Sequence, residues 1–97
     1  MKSIDMEYVY EISKIAHALS HPVKVKIYNM LEEKGEMEMG EIYYRLSENF
    51  DFSSGQTIAD HIKAMERGRL VETRQSRKDE IIVKLKKRVK IEYEDLE

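Results

Sequence analysis

The sequence predicts a mainly α-helical domain with a small β-hairpin, in the order helix, helix, short strand, helix, helix, strand, strand. Three observations carry this prediction. Apolar residues recur at spacings of three and four through most of the first 67 positions, the period of a helix with one buried face. Gly35 and Gly68 each follow such a run, where a helix commonly stops. Beyond Gly68 the pattern changes to strict alternation on either side of a polar turn, the mark of a hairpin.

Ile4, Tyr8, Ile12, Ile15 and Leu19 lie on one helical face, and Met6, Val9 and Ala16 form a second, partial stripe. A surface helix of a monomer needs only one such stripe, so the surplus points to a partner. Ser20-His21-Pro22 breaks this helix, and proline suits the first position of the next, where its missing N–H costs nothing. The second helix then runs from Pro22 to about Lys34 with Val23, Ile27, Met30 and Leu31 inward. Glu36-Met37-Glu38-Met39 alternates and suits a very short strand. A third helix, roughly Gly40 to Glu48, buries Ile42 and Leu46, with Tyr43 packed beside them.

Asn49-Phe50-Asp51-Phe52 forms a link whose phenylalanines are expected against the core. The fourth helix spans 53–67, and Ser53-x-x-Gln56 fits a capping box, in which each side chain satisfies a free N–H of the helix start. Ile58, Ile62 and Met65 make its buried face, with His61 beside them. Gln56, Thr57, Asp60, Lys63, Ala64 and Arg67 fall on the other side. Leu70–Arg74 and Ile81–Leu85 are the strands of a hairpin spanning 70–86, with its turn near Ser76–Asp79. Val83, Leu85, Val89, Ile91 and Tyr93 continue the alternation, broken only at Lys87, so the acidic-ended tail, 87–97, reads as strand-like.

One domain over residues 1–97 is what this length supports: room for a single core, too little for two. The charged fraction of 37% exceeds the roughly 25% of ordinary soluble proteins, and the Glu/Lys bias is like that of hyperthermophile proteins. The net charge of −2 conceals an asymmetry: residues 1–50 carry −3, residues 51–91 carry +5 and residues 92–97 carry −4. Positive charge thus gathers on the fourth helix and the hairpin, as a polyanionic partner requires. There is no cysteine, which excludes disulfides, thiolate metal sites and cysteine nucleophiles. No apolar run approaches the ~20 residues of a membrane helix and no signal-peptide pattern is present, so the expected location is cytoplasmic, with no membrane partner.

A capped helix, a glycine stop and a basic-tipped hairpin together make the working half of a winged helix-turn-helix. Such a unit lays its helix in a DNA major groove while the hairpin, or wing, reaches the backbone. Two phrases extend this into a resemblance. Ala18-Leu19-Ser20-His21-Pro22-Val23-Lys24-Val25-Lys26-Ile27 resembles the opening of the ArsR family of winged-helix repressors. Thr57-Ile58-Ala59-Asp60-His61-Ile62-Lys63, with Gly68-Arg69-Leu70-Val71-Glu72, resembles that family's recognition helix and its exit into the wing. The similarity covers about residues 12 to 86. The longer link at Glu48–Ser54 is more like PadR-type winged helices, and the family's frequent metal-binding cysteines and long final helix are absent.

The resemblance implies a homodimeric regulator of transcription that binds double-stranded DNA, most simply a repressor. It implies Ser54 at the phosphate-facing helix start, and Gln56, Thr57, Asp60 and Lys63 toward the major groove, with Arg67 on the same side. Arg74, Arg77 and Lys78 in the wing would meet backbone or minor groove. The dimer would rest mainly on the first helix, residues 1–19, through Ile4, Met6, Tyr8, Val9, Ile12 and Ala16, with the tail strand open as a second contributor.

Chemistry gives each residue a plainer role as well. Gln can bind adenine bidentately and Thr can reach a base edge, yet Gln56 could simply complete the cap. Asp60 could accept from a cytosine amine, or pair with Lys63 three residues on. Arg77 and Lys78 suit phosphate, whose neutralisation releases counterions and makes binding salt-dependent; a solvated turn is the alternative. His17, His21 and His61 lack a third ligand between them and read as structural, so no metal is expected. No phosphate loop or nucleophile motif is present, so neither catalysis nor a cofactor is expected. Two other uses of the same fold stay open: a protein-interaction module and a non-specific architectural DNA-binding protein.

Overall fold

The computed structural model describes residues 6–48, 55–90 and 94–96. Four helices and three strands follow in order: α1 (Met6–Ala18), α2 (Pro22–Lys34), β1 (Glu36–Glu38), α3 (Met39–Ser47), α4 (Gly55–Arg67), β2 (Val71–Gln75) and β3 (Ile81–Leu85). The strands form one antiparallel sheet in the order β1-β3-β2. Met37 and Thr73 both stand opposite Val83, which fixes the register. This is the winged-helix fold, as the sequence predicts.

The core is apolar residues from every element except the outer two-thirds of α1. Ile27 and Leu31 of α2, Ile42 and Leu46 of α3, Ile58, Ile62 and Met65 of α4, and Leu70 and Val83 of the sheet region are at most 1% exposed. Met30 and Met37 are buried and Met39 partly so, fitting their role as adaptable filler. Gly35 closes α2 in a left-handed conformation, φ 85°, and its N–H donates to the Leu31 carbonyl. No helix among the described residues is long and apolar enough to cross a membrane.

Three expectations need correction. Tyr43 is not packed but 37% exposed, because Ile42 and Leu46 take the one face that short α3 turns to the sheet. Ala64 is buried rather than outward, because the end of α1 crosses α4 there; Ala64 and Gly68 line a cleft with Ser13, Lys14 and His17. On α1, Tyr8 and Ile12, two of the residues expected at the dimer interface, are 60% and 48% exposed, and only Ala18 of that helix is fully covered. Among the described tail residues, 86–90 form no strand. The alternation there is real, since Leu85, Lys87 and Val89 are half-buried while Lys86, Arg88 and Lys90 are exposed. Its partner is a side chain: the Tyr28 hydroxyl accepts from the Val89 N–H at 2.7 Å and donates to the Val89 carbonyl at 3.0 Å. Ile4, the two phenylalanines of the link and the Ser53 cap lie outside the described residues.

Candidate nucleic-acid interface

The seat of α4 decides what it presents. Ile58, Ile62, Met65 and Ala64 face α2, α1 and the sheet, so residues offset from them by a third of a turn or more must point outward. Thr57, Asp60, Lys63 and Arg67 are exposed along that outer side. They bear one carboxylate and two cations in eleven residues. Gln56 lies in the first turn of α4 by its backbone; Ser54 lies outside the described residues.

The exit from α4 is a tight cap that aims the wing. The Arg69 N–H donates to the Glu66 carbonyl at 2.9 Å and the Leu70 N–H to the Met65 carbonyl at 3.0 Å, the paired bonds of a Schellman motif. Arg69 takes the left-handed position, φ 60°, that a glycine usually fills. Glu66 then fastens helix to strand: its Oε2 accepts from the Thr73 N–H at 3.1 Å and from the Thr73 hydroxyl at 2.8 Å. Sequence reasoning missed Glu66, and no local signal marks it, since the bond joins two elements seven residues apart.

The wing tip is organised by Ser76. Its Oγ accepts from the N–H groups of Lys78 and Glu80, both at 3.3 Å, while its own N–H donates to the Glu80 carbonyl at 2.7 Å. Asp79 holds φ 59° and accepts at Oδ1 from the Gln75 amide at 3.2 Å. The outcome is a fixed turn with Arg77 and Lys78 exposed at its apex. Neither forms an ion pair among the described residues.

Arg74 sits differently. Its guanidinium pairs with the Glu36 carboxylate at 2.7 Å on the outer face of the sheet, with both side chains about half exposed. On that face Lys84 stands between Glu36 and Glu72, and Lys86 pairs with Glu72 at 3.3 Å. Basic charge on the strands is therefore largely paired locally, whereas Arg77 and Lys78 at the tip form no ion pair among the described residues. Near the tip, the Glu80 carboxyl beside Glu38, with Glu41 adding to it, holds Glu38 above the usual carboxylate range, and Lys78 opposes that rise. Among the described residues no three His, Cys, Asp or Glu side chains gather as a metal would need.

No protein-family model and no curated protein matches the chain. Among solved structures it is similar to HlyU from Vibrio cholerae N16961, with a TM-score of 0.72 and 20% sequence identity over 86% of this chain and 83% of that one. At that identity the likeness is one of fold.

Proposed function

We propose that this protein is a sequence-specific, double-stranded DNA-binding regulator of transcription, acting as a homodimer and most simply as a repressor. The observation that carries the reading is the pairing of two features on one rigid unit. A helix bears Thr57, Lys63 and Arg67 outward, and a hairpin fastened to it by Glu66 carries Arg77 and Lys78 at its tip, without ion pairs among the described residues. Helix N-terminal residues and Lys63 would reach base edges in the major groove, where Gln and Thr can discriminate. Arg77 and Lys78 would neutralise phosphates. Arg74 would join them only by exchanging its Glu36 partner for phosphate. The ArsR-like phrases of the sequence agree with this use.

The dimer would form through α1. Met6, Tyr8, Val9, Tyr10 and Ile12 are 58%, 60%, 37%, 60% and 48% exposed, five large apolar side chains within seven residues. Single exposed apolar residues need no explanation, but such a concentration marks an interaction surface.

The test is fluorescence anisotropy of labelled duplex from upstream of the protein's own gene against a scrambled duplex, over a salt series. A preference above about ten-fold, roughly 1.4 kcal/mol, is expected for the upstream duplex. The double variant Arg77→Glu, Lys78→Glu should bind at least ten-fold more weakly, and each lost phosphate contact should flatten the slope of log affinity against log salt by about 0.9. Equal, salt-sensitive binding to both duplexes would favour an architectural role. No binding at low salt would sink the DNA reading in favour of a protein-interaction module.

A further inference from the structure

Two of the three histidines meet at the joint between α2 and α4. The rings of His21 and His61 lie with centroids 4.4 Å apart, tilted by 37°. His21 is the N-cap of α2, and its Nδ1 accepts from the Val23 N–H at 3.1 Å. His61 is half-buried on α4, one residue from Ile62 and three from Ile58, which seat that helix. Beside them Lys24 is only 6% exposed, its ammonium donating to the His17 carbonyl at 3.1 Å and to the Ser20 hydroxyl at 3.4 Å. The joint therefore already contains one buried cation beside the two rings.

Protonation conflicts with this geometry in three ways. An imidazolium has no acceptor nitrogen, so a protonated His21 cannot hold the Val23 N–H. Positive charge at the start of α2 opposes the helix dipole. Two imidazoliums in ring contact repel each other, and the Lys24 ammonium repels both. From α4 itself, the Asp60 carboxylate acts in the other direction. Burial first, then His21 and Lys24, hold His61 below the ordinary histidine value despite Asp60. The end of α1 brings a carbonyl, through Lys24, and among the described residues no charge on α1 or β2 acts strongly on His61.

We propose that the His21–His61 stack is an acid-sensitive latch: neutral, it holds α4 against α2 with Thr57, Lys63 and Arg67 presented outward; protonated, it releases α4. Only the consequence for DNA rests on the functional reading above. The sign follows from linkage. His61 has a folded-state pKa below its unfolded value of about 6.5, so the folded state binds fewer protons. The latch's contribution to stability stands in full above about pH 6.5 and is lost as pH falls through and below it. Each unit of depression lowers the folding equilibrium constant about ten-fold once protonation is complete.

The experiment is urea denaturation of the full chain between about pH 8 and pH 5, the range in which histidine changes charge, for the unmodified protein and for His61→Phe, His21→Asn and His17→Gln. Asn at position 21 keeps a capping oxygen that does not titrate, so this variant carries the test if His61→Phe fails to fold. The unmodified protein and His17→Gln should lose stability on acidification below about pH 6.5. His61→Phe should stay nearly flat, and His21→Asn should lose less than the unmodified protein, because burial and Lys24 still act on His61. A flat profile for the unmodified protein, or an unchanged slope in His21→Asn, would overturn the latch. Duplex affinity at pH 7.5 and 5.5 adds the second arm: a larger acid loss in the unmodified protein than in His21→Asn is expected, and equal losses count against release of α4. Absence of duplex binding at both pH values overturns the DNA reading alone.

Discussion

A β-carbon added at Gly68 would stand 2.8 Å from the Ala18 β-carbon and 3.0 Å from the Lys14 carbonyl oxygen. Both neighbours belong to α1, one of them backbone, so neither can yield cheaply. Gly68 is thus required by the close crossing of α1 over α4, while the left-handed turn that ends α4 falls to Arg69. Gly68→Ala should destabilise by about 1–3 kcal/mol, the usual cost of overpacking. Gly40 offers the control. It lies in the first turn of α3 with nothing within 4 Å of its added β-carbon, so Gly40→Ala should stabilise by about 0.4–1 kcal/mol through the unfolded chain. Urea denaturation of both variants measures the difference. Equal effects would mean that the approach of α1 to α4 is looser than 2.8 Å implies.

At the scale of elements, the wing depends on two anchors besides the cations of its tip. Glu66 fixes the hairpin to α4 and Ser76 fixes the turn. Both bonds are largely exposed, so Glu66→Ala and Ser76→Ala should each cost about 1 kcal/mol or less of global stability. Duplex affinity should fall further than stability, because the helix and the tip would no longer arrive as one preorganised unit. Comparison of denaturation midpoints with anisotropy titrations checks this; affinity unchanged in both variants would show that the wing orders itself on the DNA. How much of this was legible in the sequence follows from the range of the forces involved. Helix spans, the α2 stop at Gly35, the β1 strand and the hairpin are local consequences of periodicity and glycine, and among the described residues they agree with the structure to within a residue or two. The burial of Ala64, the exposure of Tyr43 and the Glu66–Thr73 bond depend on which elements cross, which no window of the sequence contains. The tail shows the same limit: its alternation is correct, but its partner is the hydroxyl of Tyr28, sixty-one residues away.

At the scale of the whole molecule, the unresolved balance is in α1. Its end is pinned by Ala18 against Gly68, and its middle by the Lys87–Glu11 ion pair at 2.6 Å, which also holds Glu11 below the usual carboxylate range. Its outer turns have no comparable cover among the described residues, although they carry the apolar surplus from which the sequence already pointed to a partner. If a second copy covers them, two recognition helices are fixed relative to each other, and a duplex with two half-sites about 34 Å apart can engage both. The second contact is then intramolecular, and linking of this kind typically raises affinity by about 10²–10⁴-fold with no new contact. Val9→Glu with Ile12→Glu tests the idea, because both residues are exposed in the single chain, 37% and 48%, and neither supports its core. Sedimentation velocity should show a dimer for the unmodified protein and a monomer for the double variant, with denaturation at low protein concentration little changed. Affinity for a two-half-site duplex should drop by about 10²-fold or more, towards the value for a single half-site. An unmodified protein that stays monomeric at the concentrations where it saturates that duplex would remove α1 as the dimer element, and with it the two-fold arrangement of the recognition helices.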